Sequence, residues 1–257
     1  MSHDGGAVLG ERRRVVEGLG FGLVALAAVG SGYRWVAGVA MPETARLWLG
    51  PTAVVLGFLV AFLWRHRDEI RTDDGVAMES LGVANAVTLG RGVLVAGVAG
   101  FVLLDPRGDY VWLPAVGYGA VVVLDSVDGA LARSLGTESR LGAKLDMAVD
   151  TTGFLIAPLV AVAWGLLPVW YLSLSAARYC YRAGGWLYRA RGGTIGTLPD
   201  SRVRRPLSGL QMGFLTVALV PAVPTDLVVA AAPWVLAPSL AVFARDFLAV
   251  TVLATEE

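Results

Sequence analysis

Four aspartates lie inside two of the most apolar stretches of the sequence. They are Asp125, Asp128, Asp146 and Asp150, within the segment LDSVDGALARSLGTESRLGAKLDMAVD at 124–150. Carboxylates without a neighbouring histidine or cysteine are typical ligands of a hard cation such as Mg²⁺ or Mn²⁺, which keeps coordination positions for substrate phosphates. Four aspartates can hold one or two such ions. The pattern therefore indicates metal-assisted chemistry on a phosphate group.

The spacing of these aspartates predicts that two neighbouring helices position them. Residues three or four apart share a helix face, and the short loop at 134–141 makes the two helices antiparallel. The two predicted stripes are Asp125, Asp128, Gly129 and Ala132 on the first helix, and Gly142, Asp146 and Asp150 on the second. The small residues on these stripes allow either close helix packing or the approach of a ligand. Both stripes are expected to converge at one end of the helix pair.

The composition indicates a membrane protein. Of the 257 residues, 56% are hydrophobic before the 32 glycines are counted, whereas a soluble domain reaches roughly 45–50% with glycine included. Most apolar runs approach or exceed the roughly 20 residues that cross a bilayer core. The sequence shows no alternation of polar and apolar residues typical of membrane β-strands, so we predict an all-α bundle of eight spanning helices. The runs lie at 16–40, 47–64, 86–104, 111–131, 145–167, 169–188, 207–223 and 227–242.

The distribution of charge predicts the orientation in the membrane. With the amino terminus inside and eight crossings, Arg34, Arg46 and Arg107 lie outside, which leaves 18 of the 21 basic residues inside. Both termini and the loop between the aspartate-bearing helices are therefore expected to face the cytoplasm. Lys144 is the single lysine, which favours a GC-rich genome and hence a prokaryotic cell membrane. Tryptophans expected to anchor at the interface are Trp35, Trp48, Trp64, Trp112 and Trp170.

The counts of cysteine and histidine narrow the kind of metal site. One cysteine cannot form an internal disulfide framework, and two histidines are too few for a structural zinc site. The formal net charge of zero lacks the basic signature typical of nucleic-acid-binding proteins. We therefore expect an oxygen-liganded metal, membrane lipid as a partner and no nucleic acid.

The aspartate segment resembles the signature of a known enzyme family. Written with its spacers, it is Asp125-x2-Asp128-Gly129-x2-Ala132-Arg133-x8-Gly142-x3-Asp146-x3-Asp150. All eight positions are similar to the signature of the CDP-alcohol phosphatidyltransferases. The resemblance covers roughly residues 84–248 and implies a six-helix catalytic transmembrane domain, here at 81–257. Residues 1–80 are then an amino-terminal addition of two transmembrane helices and a charged linker.

The resemblance also implies a role for each residue of the signature. The residues that would ligate the metal are Asp125, Asp128, Asp146 and Asp150. Asp150 would in addition accept the proton of the acceptor hydroxyl. The residues that would border the nucleotide are Gly129, Ala132 and Gly142, which leave room for cytidine, and Arg133, which would contact a phosphate or brace an aspartate.

A second segment, ANAVTLGR at 84–91, resembles the Pro-Asn-x-x-Thr-x-x-Arg segment of the same family, with Ala84 in place of the proline. The resemblance implies that Asn85, Thr88 and Arg91 also border the nucleotide. The residues alone leave another interpretation open. In that interpretation Asn85 is a helix N-cap and Arg91 snorkels to the membrane interface.

Arginines near the sixth and seventh runs are candidates for binding the second substrate. They are Arg178 and Arg182, which lie one helical turn apart, and Arg204 and Arg205, which precede the seventh run. Topology alone would also produce a basic inner loop here. The functional alternative is that these guanidinium groups bind the phosphate of an anionic acceptor.

The sequence therefore favours a membrane phosphatidyltransferase of phospholipid biosynthesis. It would join a CDP-linked lipid to an alcohol, such as glycerol 3-phosphate or inositol phosphate, and release CMP. The resemblance also leads us to expect a homodimer. One alternative is a phosphotransferase of the CDP-choline or CDP-ethanolamine type that acts on a diacylglycerol-like lipid. A different class, an ion or proton transporter, would spread its carboxylates through the depth of the membrane.

Overall fold

The computed structural model describes residues 20, 22–38, 42–66, 82–135, 140–191 and 203–251. Within these ranges every regular element is a helix, which confirms the prediction of an all-α protein. The helices are α1 at 22–38, α2 (Pro42–Arg65), α3 (Gly82–Ala99), α4 (Leu113–Leu135), α5 (Arg140–Ala163), α6 (Ser173–Ala190), α7 (Arg204–Ala218) and α8 (Thr225–Thr251). Short 3₁₀ helices lie at Gly100–Leu103, Asp109–Trp112 and Val169–Leu172.

Among the described residues, five helical segments are long and apolar enough to cross a membrane. They are Ala45–Arg65, Asn85–Leu103, Asp109–Val127, Leu141–Ala163 and Thr225–Phe247. The protein is therefore a polytopic helical membrane protein. The described part of α1 has 17 residues and α7 has 15, while α6 carries several arginines. The predicted number of eight spans stays a prediction.

The end of α5 shows why the chain turns there. Gly165 has a φ of 70°, a left-handed conformation that glycine adopts without strain. The amide of Leu166 donates to the carbonyl oxygen of Ala161 at 2.8 Å, and that of Gly165 donates to the carbonyl oxygen of Val162 at 3.0 Å. These two bonds form a Schellman motif, which satisfies carbonyl groups that the helix end leaves without intrahelical partners.

The chain divides into two compact units, residues 1–156 and 157–257. The predicted division at residue 80 follows the family resemblance instead and stays a prediction. In the first unit α3 packs against both α2 and α4. Trp48 of α2 is buried and its Nε1 donates to the carbonyl oxygen of Gly97 at 2.9 Å. Trp48 lies near the start of the span Ala45–Arg65, but its indole packs inside the helix bundle and does not face the lipid as an anchor would.

In the second unit α6 and α7 both pack against α8. Gln211 of α7 is buried and forms the centre of a polar network. Its Oε1 accepts from the Tyr171 hydroxyl at 2.5 Å, and its Nε2 donates to the Val235 carbonyl at 2.8 Å and the Ser239 hydroxyl at 2.9 Å. Hydrogen bonds between helices in hydrocarbon contribute about 0.6–2 kcal/mol each. The network therefore fixes α7 against α8.

Candidate active site

Two helices of the first unit bring a cluster of acidic side chains together. Asp125 comes from α4, and Asp146 and Asp150 lie one turn apart on α5. One carboxylate oxygen of each lies within 4.8 Å of the other two. The structure thus brings together three of the four predicted aspartates at a single level of the bundle. We refer to these three residues as the aspartate cluster.

Arg91 of α3 makes an ion pair with every member of the aspartate cluster. Its NH1 donates to Asp146 Oδ1 at 2.7 Å and its NH2 to Asp150 Oδ1 at 2.6 Å, while NH2 lies 2.7 Å from Asp125 Oδ1. The Arg91 side chain is 0% exposed. The alternative in which Arg91 snorkels to the interface is therefore wrong. Its guanidinium group is instead a buried positive charge that offsets part of the negative charge of the three carboxylates.

A close approach of helices places Arg91 within reach of the carboxylates. Gly92 follows Arg91, and a Cβ atom there would lie only 2.8 Å from Leu59 Cδ1 and 3.4 Å from Val149 Cγ2. Glycine at this position therefore lets α3 approach α2 and α5 closely. Gly92 was not among the predicted site residues, although a glycine beside a charged residue inside an apolar run is a visible signal in the sequence.

The remaining polar residues of α3 are also buried. Asn85 and Thr88 are each 4% exposed. Because α3 begins at Gly82, Asn85 lies in the first turn of the helix. The alternative in which Asn85 serves as the N-cap is therefore wrong. Both side chains face the interior of the first unit together with Arg91.

Several signature residues can be located only by their backbone. Asp128, Gly129, Ala132 and Arg133 lie on α4, where their side chains fall outside the described part of the chain. The side chain of Arg182 on α6 also lies outside it. Gly142 lies in the first turn of α5 and is half-buried.

The aspartate cluster fits a hard divalent cation. Its donors are carboxylate oxygens, which Mg²⁺ and Mn²⁺ prefer. The distance of 4.8 Å or less between their oxygens is compatible with several of them binding one ion. Each Arg91 contact uses an Oδ1 atom, and every carboxylate has a second oxygen that can accept a cation. The donor set of the aspartate cluster therefore fits a hard divalent cation.

The arginines predicted to bind the acceptor lie in the second unit. The Arg178 guanidinium carbon lies 6.0 Å from the centre of the Phe243 ring, and Arg204 Nε donates to Asp246 Oδ2 at 2.6 Å. Phe243 and Asp246 are three residues apart on α8, so Arg178 and Arg204 meet the same turn of that helix. Arg205 is exposed.

Asp246 and Arg245 were not among the predicted site residues. The Asp246 side chain is 7% exposed, and its Oδ1 accepts from Arg245 NH2 at 2.7 Å. Two guanidinium groups, of Arg204 and Arg245, therefore share one nearly buried carboxylate. The sequence feature that could have indicated them is an adjacent arginine and aspartate shortly after the last apolar run. The predicted span at 227–242 placed this pair outside the membrane.

Comparison with known proteins agrees with the motif. The family model described as CDP-alcohol phosphatidyltransferase matches residues 81–253. Proteins named "Putative cardiolipin synthase" from Mycobacterium bovis and from two strains of Mycobacterium tuberculosis are 34% identical over 125 residues, 45% of this chain and 59% of theirs. The chain thus spans about three fifths of the length of these curated relatives. No solved structure matches it. Because the family model covers more than half of the chain, this protein belongs to the CDP-alcohol phosphatidyltransferase family.

Proposed function

We propose that the protein transfers the phosphatidyl group of a CDP-linked lipid to an alcohol and releases CMP. The observation that carries the proposal is the aspartate cluster, whose oxygens lie within 4.8 Å of one another on apolar helices. Family membership supports the CDP-linked donor. An ion transporter would spread its carboxylates through the membrane depth, whereas these three lie at one level.

The reaction moves one phosphoryl group between two oxygens. The acceptor hydroxyl oxygen attacks the β-phosphorus, which carries the lipid, and the bond from that phosphorus to the oxygen of CMP breaks. CMP leaves with the bridging oxygen, and the hydroxyl proton passes to the Asp150 carboxylate. When bound, a divalent cation supplies the positive charge that stabilises the diphosphate and the departing CMP. The residues that would hold it are Asp125, Asp128, Asp146 and Asp150.

The nucleotide end of the donor would lie beside the signature residues. Gly129, Ala132 and Gly142 would leave room for cytidine, with Arg133 near a phosphate and the buried Asn85 and Thr88 at the border. Arg91 contacts the carboxylates themselves. We therefore propose that Arg91 positions the aspartates, in addition to the nucleotide contact that the resemblance implies.

We propose that the anionic group of the acceptor binds to arginines of the second unit. The candidates are Arg178, Arg182, Arg204 and Arg205, to which the structure adds Arg245. Asp246 neutralises one of the two guanidinium charges beside it, so this pair carries a net charge of about +1. Asp246 is then a positioning residue that orients Arg204 and Arg245.

The name of the relatives, "Putative cardiolipin synthase", adds one candidate acceptor to those predicted from the sequence. Cardiolipin contains two phosphatidyl groups joined by one glycerol. A CDP-linked donor could form it only with an acceptor that already carries a phosphatidylglycerol headgroup, which is a phosphodiester. The acceptors to compare are therefore phosphatidylglycerol, glycerol 3-phosphate and inositol phosphate.

A panel of donors and acceptors tests the function. Purified protein in lipid nanodiscs should release CMP from a CDP-linked lipid with one of these acceptors, and only when Mg²⁺ or Mn²⁺ is present. Mass spectrometry of the lipid product identifies the acceptor. Release of CMP from CDP-choline or CDP-ethanolamine with diacylglycerol would instead establish the alternative phosphotransferase. Absence of CMP release from every pair with Mg²⁺ would contradict the proposal.

Asp246→Asn tests the acceptor site. We expect the KM for the acceptor to rise about tenfold, the equivalent of one charge-assisted hydrogen bond, with the donor KM and kcat little changed. Asp246→Glu should restore part of the affinity. The control is Asp226→Asn, the same change at an exposed position in the first turn of α8. A uniform loss of kcat with an unchanged acceptor KM would show that Asp246 is structural only.

We also propose the orientation and division that the sequence predicts. The active site and both termini would face the cytoplasm of a prokaryotic cell, with the protein a homodimer. The catalytic domain would comprise 81–257, and 1–80 would be an addition. The start of the family match at residue 81 supports this division.

A further inference from the structure

An apolar cavity of about 270 Å³ lies among α1, α2, α3 and α4. Apolar side chains and glycines line it, among them Trp48, Leu94, Gly97, Val98, Val116 and Gly117. An apolar cavity in a protein stays dry and accepts apolar ligands. The chemistry of the walls therefore selects a hydrocarbon.

The indole of Trp48 forms a fixed wall of the cavity. It is buried and hydrogen-bonded to the carbonyl oxygen of Gly97, so its position is set by α3. A Cβ atom at Gly97 would lie 3.7 Å from Trp48 Cζ2, which is ordinary van der Waals contact. A larger side chain at Gly97 would therefore occupy the cavity itself.

The cavity lies at a defined depth relative to the aspartate cluster. Arg91, Leu94 and Val98 share one face of α3, so the cavity continues the face that carries the arginine. At a rise of about 1.5 Å per residue, Val98 lies about 10 Å beyond Arg91, and Gly117 lies about 12 Å from Asp125 along α4. One leaflet of the hydrocarbon core is about 15 Å thick. An acyl chain whose headgroup lies at the aspartates therefore reaches the cavity with its distal part.

The cavity is accessible from the membrane. Val116 lines the cavity, and its side chain is 63% exposed within the candidate span Asp109–Val127. An acyl chain can therefore enter sideways without crossing the helix bundle.

We propose that this cavity binds the distal part of one acyl chain of the CDP-linked lipid donor. It follows that α1 and α2, outside the family match at 81–253, form part of the donor site and set a preference for chain length. The identity of the occupant rests on the proposed function. The cavity and its depth do not.

Gly97→Leu, which fills the cavity, tests this site with two CDP-diacylglycerol donors. For a dioleoyl donor we expect kcat/KM to fall about tenfold, as for the loss of a few methylene contacts, whereas a dihexanoyl donor should be unaffected. The matched control is Gly57→Leu on α2, where nothing lies within 4 Å of a Cβ atom. Equal loss with both donors would overturn the chain-binding site.

Photocrosslinking tests the same site in the unaltered protein and needs no turnover. A CDP-lipid with a diazirine at the end of one acyl chain should label peptides that line the cavity, such as those that contain Trp48, Leu94 or Val116. Labelling confined to α5–α8 would refute the site. A wild-type protein that is labelled there but releases no CMP would overturn the proposed function and leave the chain-binding site standing.

Discussion

Asp150→Asn is expected to lower kcat by about 10²–10⁴ at saturating Mg²⁺ while leaving the KM for the CDP-linked lipid nearly unchanged. Asparagine has the shape of aspartate and can still accept a hydrogen bond from Arg91 NH2, which lies 2.6 Å from Asp150 Oδ1. It cannot accept the proton of the acceptor hydroxyl. The measurements are the rate of CMP release and the binding of the donor in nanodiscs.

Asp146→Asn provides the contrast to this variant. Asp146 lies one turn before Asp150 and receives a similar bond from Arg91 at 2.7 Å. Asp146 is a proposed metal ligand without a role in proton transfer. The Asp146→Asn substitution should therefore raise the concentration of Mg²⁺ needed for activity, and excess Mg²⁺ should recover much of the rate. Normal CMP release by Asp150→Asn would refute the assignment of Asp150 as the base.

Arg91→Leu should lower the free energy of unfolding, and the loss should be larger without divalent cations than with them. The substitution leaves three carboxylates, whose side chains are 29–47% exposed, close together without the guanidinium group that pairs with all of them. Breaking a fully buried ion pair by removing one partner costs about 3–5 kcal/mol in the free energy of unfolding, and solvent around these carboxylates lowers that cost. We expect a marked fall in Tm in EDTA, and a smaller fall for Arg91→Lys, which keeps the charge but loses the planar fork.

Magnesium separates the role of Arg91 as a counter-ion from a role in packing. If the guanidinium offsets the carboxylates, Mg²⁺ should raise the Tm of Arg91→Leu more than that of the wild type, because the ion replaces the missing charge. Arg107→Leu is the control, since Arg107 is 81% exposed and its pair with Asp105 is long at 3.4 Å. An equal effect of Mg²⁺ on Arg91→Leu and wild type would exclude the counter-ion role.

The convergence of the aspartates could be predicted because it depends on local geometry. The period of the α-helix places Asp146 and Asp150 on one face, and the short connection from α4 leaves little freedom for the partner helix that carries Asp125. The contact of Arg91 with all three could not be predicted in this way. Its helix is separated from α5 by 40 residues of chain, and Gly92 must first let α3 approach.

The exposed fraction of a side chain likewise differs between residues that look alike in the sequence. Trp48 and Trp64 lie near opposite ends of one apolar run, yet Trp48 is 4% exposed and Trp64 is 71% exposed. Their difference depends on whether a neighbouring helix offers a partner, which for Trp48 is the carbonyl oxygen of Gly97. Asp246 is buried for a similar reason, since α7 supplies Arg204.

Hydropathy and helical period act over neighbouring residues, so the all-helical membrane class, the family and the spacing of the acidic side chains could be read from the sequence. Three features could not: the ion pairs of Arg91 with all three members of the aspartate cluster, the contact of Asp246 with two arginines, and the cavity beside Trp48. Each of these depends on how closely separate helices approach. That distance is set by packing between surfaces that lie far apart in the chain.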